Sequence, residues 1–92
     1  MDNVEKILEE RGSRYGSMEI NAMTTQALMR VIKNTPSYDN LSSSHIECIH
    51  MIFHKISRMV CGDPMYVDNA VDMEGYSRLL KEYIENKNAK NS

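Results

Sequence analysis

At 92 residues the chain is long enough for one domain, and its net charge of −2 gives it no overall attraction to nucleic acid or to an anionic membrane. With 41% hydrophobic and 26% charged residues it is too apolar for disorder, and no apolar run approaches the roughly 20 residues that span a bilayer. Cys48 and Cys61 lack a CxxC partner, and the N-terminus lacks the apolar core of a signal peptide, so we expect a reduced, cytoplasmic protein.

Apolar residues at three- and four-residue spacing predict four helices and no strand. A short first helix is expected to end at Gly12, and the segment RGSRYGS (11–17) is expected to form a loop. A second helix extends from Met18 to about Lys33. Its apolar positions are Ile20, Met23, Ala27, Leu28, Val31 and Ile32. The polar segment TPSYDNLSSS then predicts a second loop.

The third helix, from about Ser44 to Val60, has two distinct faces. The predicted packing face holds Ile49, Ile52, Phe53, Ile56, Met59 and Val60, and the opposite face holds Glu47, His50, Met51, His54 and Arg58. A Gly-Asp-Pro turn leads to the fourth helix, from about Asp68 to Glu85. Its predicted inward stripe is Tyr76, Leu79, Leu80, Tyr83 and Ile84.

These elements predict an all-α fold: a compact bundle of about four helices, with a short first helix and three longer ones. Residues 1–85 are expected to form the single domain, and the aperiodic polar residues 86–92 a flexible tail. Because so short a chain buries only a modest core, we also expect a homo-oligomer. Gly75 in mid-helix favours close approach by another backbone, or by a ligand.

Basic and aromatic residues around the RGSRYG and HKISR segments are candidates for binding a phosphorylated ligand. Guanidinium groups match phosphate oxygens, and a tyrosine can stack on a base. The phosphate candidates are Arg11, Arg14, Lys55 and Arg58, and the stacking candidates are Tyr15 and Tyr66. His50 and His54, four residues apart, are expected to donate or accept hydrogen bonds in the same pocket, with a zinc pair as the alternative.

Three carboxylates allow two interpretations. Asp68 and Asp72 lie on one face of the fourth helix, and with Glu47 they could hold magnesium. Asp68 and Glu47 also suit helix caps, Glu47 in a capping box with Ser44. Asp72 lies among apolar positions, where a carboxylate needs a partner. That partner is either a ligand or a base on the third helix, Lys55 or Arg58.

The segments ERGSRYGSMEINA and HKISRMVCGDPMYVDNAVDMEGYSRLL resemble a family of small, uncharacterised tailed-phage proteins. More distantly, the chain is similar to MazG-type all-α nucleotide pyrophosphohydrolases, which hold magnesium through ExxE and ExxD motifs. In that comparison Glu47 matches the first motif, and Asp68 and Asp72 stand in place of the second. His50 and the DxxxD spacing depart from it. The resemblance implies a viral protein in the cytoplasm of the host cell.

Three hypotheses of function follow. The first is a phage protein that binds a phosphorylated nucleotide between helices three and four, sequestering a host nucleotide-derived immune signal. Its ligand-binding residues would be Arg11, Arg14, Tyr15, His50, His54, Lys55, Arg58, Tyr66, Asp68 and Asp72. The second is a magnesium-dependent pyrophosphohydrolase with Glu47, Asp68 and Asp72 as metal ligands. The third is a protein inhibitor of a host enzyme.

Overall fold

The computed structural model describes residues 3–91 and is all-α, as predicted, with no strand in that range. The four α-helices are α1 (Asn3–Tyr15), α2 (Met18–Ile32), α3 (Ser43–Cys61) and α4 (Val67–Asn91), and a short 3-10 helix spans Tyr38–Asn40. The central helix is α3, which packs against each of the other three α-helices. The molecule measures 58 × 25 × 22 Å. None of the helices in the described range is long and apolar enough to span a bilayer.

The first helix extends past its predicted end. Gly12 lies within α1, which continues to Tyr15, and the amide of Gly16 donates to the carbonyl of Gly12 (2.9 Å). Gly16 has φ +81°, the left-handed conformation that closes many helices and that a glycine adopts without steric cost. The segment from Arg11 to Tyr15 is therefore the last turn of α1, and the prediction of a loop there is wrong.

The third helix begins with a different cap from the predicted one. Ser42 is the N-cap: its Oγ accepts from the amide of His45 (3.3 Å), and its own amide donates to Nδ1 of His45 (3.2 Å). The hydroxyl of Tyr83 on α4 also donates to Ser42 Oγ (2.9 Å). Because helix α3 is already formed at Ser43, a capping box of Ser44 with Glu47 is excluded, and the prediction that Glu47 caps it is wrong.

The fourth helix is longer at both ends than predicted. It begins at Val67, so Asp68 lies inside the first turn and is not its N-cap. It continues to Asn91, six residues past the predicted end at Glu85. The division into a domain over 1–85 and a flexible tail over 86–92 stays a prediction, and residues 1, 2 and 92 lie outside the described range.

Polar side chains occupy the most buried positions, which the apolar pattern did not predict. In the part of the chain that is described, every apolar residue is half-buried or exposed. Five polar residues are buried: Asn21, Thr25, Lys55, Ser57 and Asn69, of which Ser57 and Asn69 are fully buried. Much of the predicted apolar stripe of α2 faces solvent: Ile20, Met23 and Val31 are exposed, whereas Leu28 and Ile32 are half-buried. On α3 and α4, the predicted inward residues Val60 and Leu79 are also exposed. Apart from Val60, Leu79 and Ile84, the predicted inward residues of α3 and α4 are half-buried, so these faces are confirmed in part.

Candidate functional site

Two glycines bring the C-terminal ends of α1 and α3 into backbone contact. A Cβ at Gly62 would overlap the carbonyl of Arg14 and the backbone of Tyr15, and a Cβ at Gly16 would overlap the carbonyl of Cys61. The amide of Asp63 donates to the carbonyl of Arg14 (2.8 Å) across the same contact. A side chain at either glycine would separate the helix ends, so this contact fixes the last turn of α1 against α3.

The contact assembles alternating arginines and tyrosines, here called the Arg–Tyr cluster: Arg11, Arg14, Tyr15, Arg58 and Tyr66. The guanidinium of Arg58 lies 4.4 Å from the centre of the Tyr15 ring, and that of Arg14 lies 4.3 Å from the centre of the Tyr66 ring. Arg11 lies 5.8 Å from the centre of Tyr15. The two rings meet edge to face with centroids 5.8 Å apart. All three guanidinium distances are within the range of cation–π attraction.

The guanidinium groups of this cluster have no carboxylate partner within residues 3–91, where the salt bridge that forms joins Lys55 and Asp72. A tyrosine face attracts a cation without neutralising its charge. The three positive charges of the cluster are therefore not neutralised within residues 3–91 and are available to bind an external anion.

Tyr66 is held at the edge of the cluster by Asp68. Its hydroxyl donates to Oδ2 of Asp68 (2.7 Å), and this bond, with smaller contributions from desolvation and from the negative charge of Asp68, raises the pKa of Tyr66 to about 12. The phenol is consequently protonated at neutral pH. One carboxylate oxygen of Asp68 thus accepts a hydrogen bond from a residue two positions earlier in the chain.

A pocket of about 380 Å³ opens beside the cluster, between α1, α2 and α3. It is lined by Leu8, Arg11, Gly12, Tyr15, Gly16, Ser17, Met18, Asn21, Ala22, His54 and Arg58. Arg11, His54 and Arg58 supply basic groups, while Leu8, Met18 and Ala22 supply apolar surface. Such a lining suits a ligand with an anionic part and a flat, weakly polar part.

The start of α2 is fixed to the pocket by a buried polar network. Nδ2 of Asn21 donates to the carbonyls of Tyr15 (2.6 Å) and Ser17 (2.8 Å), so one amide links the end of α1 to the start of α2. The hydroxyl of Ser57, which is fully buried, donates toward Oδ1 (2.7 Å) and the carbonyl (3.1 Å) of Asn21. These hydrogen bonds connect α2 to α3 through polar groups alone.

His54 is the titratable group in the pocket wall. Desolvation, followed by the positive charges of Arg58 and Lys55 and a smaller influence from His50, lowers the pKa of His54 below 6.5. The shift favours the neutral imidazole, which can both donate and accept a hydrogen bond.

Lys55 points away from this pocket. Its side chain is buried, and its Nζ lies 3.1 Å from Oδ2 of Asp72 on α4, whose side chain is 47% exposed. Of the two interpretations of Asp72, the ion pair with a base on α3 is the one present. The pair lies at the contact of α3 with α4, whereas the pocket described above lies between α1, α2 and α3; a ligand site between helices three and four stays a prediction.

The structure thus divides the ten candidate ligand residues. Arg11, Tyr15, His54 and Arg58 line one pocket, and Arg14 and Tyr66 extend from it through the stacked rings. The others, His50, Lys55, Asp68 and Asp72, are not part of its lining. That any of these residues binds a ligand stays a prediction.

The three proposed magnesium ligands are not brought together. Over residues 3–91, no group of three His, Cys, Asp or Glu side chains is placed to hold a metal ion. Asp68 is bonded to Tyr66, Asp72 is bonded to Lys55, and Glu47 lies eight residues before Lys55 on α3, about 12 Å along the helix axis. These three carboxylates are therefore not assembled into one cluster over residues 3–91, and their role as magnesium ligands stays a prediction.

Gly16, Asn21, Gly62 and Ser57 shape the site and were not predicted. A signal existed for two of them, because glycines directly after both Tyr15 and Cys61 are typical of helix ends that meet another backbone. No sequence signal pointed to Asn21 or Ser57, because single polar residues in amphipathic helices usually face solvent.

Comparison with known proteins leaves the family of this chain open. No protein-family model matches the sequence, and neither the curated proteins nor the solved structures contain a significant match. The resemblance to small tailed-phage proteins and to MazG-type enzymes stays a prediction.

Proposed function

We propose that the protein is a phage-encoded, homo-oligomeric nucleotide-binding protein that sequesters a host nucleotide-derived immune signal in the pocket between α1, α2 and α3. The observation that carries the proposal is the group of three guanidinium ions, those of Arg11, Arg14 and Arg58, held on tyrosine faces without a carboxylate partner in residues 3–91. The phage origin and the immune signal rest on the sequence resemblance alone.

Phosphate recognition is the role of the arginines. A guanidinium offers several N–H donors in a planar fork that fits two phosphate oxygens at once. Arg11 and Arg58 border the same pocket, so one phosphate can reach both, while Arg14 lies one ring further along the Arg–Tyr cluster. Since the tyrosine faces hold these side chains in place beforehand, less conformational entropy is lost when the ligand binds.

The base of the nucleotide is assigned to the less polar side of the pocket. Leu8, Met18 and Ala22 provide contact area there, and the imidazole of His54 offers an N–H donor to a base edge in either protonation state. The pocket volume of about 380 Å³ falls within the range of roughly 300 to 1,000 Å³ usual for small-molecule sites. These features support a nucleotide over inorganic phosphate.

Sequestration is preferred to hydrolysis because of the carboxylates. A pyrophosphohydrolase needs acidic residues close to the phosphates to hold magnesium and activate water. The pocket lining contains no aspartate or glutamate from the described chain.

Calorimetry with a panel of mononucleotides, dinucleotides and cyclic nucleotides tests the proposal. We expect at least one member to bind, and Arg58→Gln to weaken it by about ten-fold or more, a loss of about 1.4 kcal/mol. Lys87→Gln is the matched control, because it also removes one cation that lies over a tyrosine, Tyr83, outside the pocket.

Absence of binding by every member at about 1 mM, or equal affinity of wild type and Arg58→Gln, would contradict the proposal. Chromatography of the bound ligand after incubation with magnesium separates the two activities. Recovery of intact ligand supports sequestration, whereas release of pyrophosphate supports the enzyme.

A further inference from the structure

Gly12 occupies a helical position where no contact within residues 3–91 requires a glycine. It lies inside α1, which continues to Tyr15. A Cβ at Gly16 or at Gly62 would overlap the backbone of another helix, and that contact accounts for both of those glycines. A Cβ at Gly12 would meet nothing within 4 Å. Since glycine is, after proline, the least favourable residue in a helix interior, the fold itself would be more stable with alanine there.

The open space beside Gly12 belongs to the pocket. The pocket takes Leu8, Arg11, Gly12 and Tyr15 from α1, and their spacing of three and four residues places them on one face of that helix. At 3.6 residues per turn, Gly12 lies about 40° around the axis from Leu8 and about 60° from Tyr15. A side chain at Gly12 would therefore point to the same side as theirs. In its absence, the bare backbone of α1 forms part of the pocket wall.

The backbone at Gly12 offers contact area and has little left to offer an anion. Its amide lies past the first four residues of α1, where helix amides donate within the helix, and its carbonyl accepts from the amide of Gly16 (2.9 Å). Leu8, on the same side of the helix, adds apolar surface. Arg11 lies about 100° away at the other edge of this face, over the ring of Tyr15. The Gly12 edge therefore suits a flat, weakly polar group, and the Arg11 edge suits a phosphate.

We propose that the base of the bound nucleotide packs against the bare backbone of α1 at Gly12, and that this glycine sets the room available for the base. The inference rests on the proposed function and adds a residue that determines specificity. A glycine lets a ligand approach the backbone more closely than any side chain would allow. Gly12 thus lowers the stability of α1 and leaves the pocket open, which accounts for a helical glycine that the rest of the chain does not contact.

Gly12→Ala and Gly12→Leu test the inference because stability and affinity should change in opposite directions. The melting temperature of Gly12→Ala should rise by several degrees, since alanine favours the helix. In calorimetry with the mononucleotide, dinucleotide or cyclic nucleotide that wild type binds most tightly, Gly12→Ala should weaken binding by about ten-fold, and Gly12→Leu by more. A purely structural role for Gly12 would not weaken the binding of a nucleotide by a more stable protein.

Gly75→Ala is the matched control. Gly75 is also in mid-helix, and nothing lies within 4 Å of an added Cβ, so the predicted close approach of another backbone is not made within residues 3–91. It is not part of the pocket lining. This variant should gain stability as Gly12→Ala does and keep the wild-type affinity.

Nuclear Overhauser effects in the complex identify the part of the nucleotide that meets Gly12. The α-protons of Gly12 should show effects to protons of the base; effects to ribose protons alone would overturn the inference. So would unchanged affinity in both Gly12 variants, or a Gly12→Ala variant less stable than wild type. If Gly12→Ala binds as tightly as wild type while Arg58→Gln does not, this inference fails and the proposed function stands. If wild type binds no nucleotide, both fail.

Discussion

Lys55 and Arg58 lie three residues apart on α3, and the protein holds their positive charges in different ways. Lys55 is buried toward α4, with its ammonium 3.1 Å from the carboxylate of Asp72. Arg58 lies on the neighbouring face of α3, about 60° away around the helix axis, over the ring of Tyr15 and with no carboxylate partner in residues 3–91. The first charge is neutralised within the fold and serves the α3–α4 contact. The second remains available, which distinguishes a structural cation from a candidate ligand-binding one.

The largest loss of stability is expected at the backbone contact between the ends of α1 and α3, next to Arg58. Gly62→Ala places a methyl group into the backbone of Arg14 and Tyr15, which cannot move without separating α1 from α3. The free energy of unfolding should fall by about 3 kcal/mol, measured by urea denaturation. Nucleotide binding should be lost with it, because the pocket requires both helix ends.

Gly12→Ala is the control for this change. Gly12 is also helical, and nothing lies within 4 Å of an added Cβ, so this variant should gain up to about 1 kcal/mol from helix propensity. Equal effects at Gly12 and Gly62 would show that the backbone contact does not stabilise the fold.

The side of Lys55 is tested by removing its partner. Asp72→Asn leaves a buried ammonium without a countercharge, and because Asp72 is 47% exposed the loss should be about 2 kcal/mol, below the value for a fully enclosed pair. The free energy of unfolding of each variant is compared at one protein concentration.

The double variant Lys55→Met, Asp72→Asn separates pairing from other effects of the substitution. Removing the buried charge as well should recover most of the loss, since the penalty arises from the unpaired ammonium. A double variant no more stable than Asp72→Asn would mean that the ion pair does not account for the burial of Lys55.

The contrast between Lys55 and Arg58 shows how much of the site could be predicted from the sequence. The all-α fold followed from periodicity, and the residue types alone selected Arg11, Tyr15, His54 and Arg58, which now border one pocket. Whether Asp72 pairs with a ligand or with Lys55 could not be predicted, because it depends on how α3 and α4 are placed relative to each other. The periodicity of the sequence does not give that placement.

The packing of α2 and α4 marks the other limit. Periodicity locates apolar positions, but a helix with apolar residues on two sides can bury either. On α2, Asn21 and Thr25 face the protein while Ile20 and Met23 face solvent, because the hydrogen bonds of Asn21 with Ser57 and the end of α1 fix that rotation. On α4, Leu79 is exposed while Tyr76 and Leu80 are half-buried. Tertiary contacts decide such cases.

The smallest effect we predict is in the titration of His54, and it reports the uncompensated charge directly. Desolvation and the neighbouring cations Arg58 and Lys55 lower the pKa of His54 in the folded protein, so its NMR titration midpoint should lie below 6.5. The unfolded chain then binds a proton more readily than the folded one. Stability from this group is complete above pH 6.5 and is lost as pH falls through the folded-state pKa.

Two changes should move that midpoint upward. Arg58→Met removes the positive charge with the largest influence on His54, and a bound phosphorylated nucleotide adds a negative charge beside the same imidazole. Binding of the nucleotide should accordingly strengthen as pH falls from 7 toward 6, because complex formation takes up a proton. Lys87→Gln, a cation lost from the face of Tyr83 outside the pocket, should leave the midpoint in place. A midpoint at or above 6.5 in the free protein would mean that the positive charge of the pocket is already neutralised, and that the contrast between Arg58 and Lys55 is smaller than the contacts indicate.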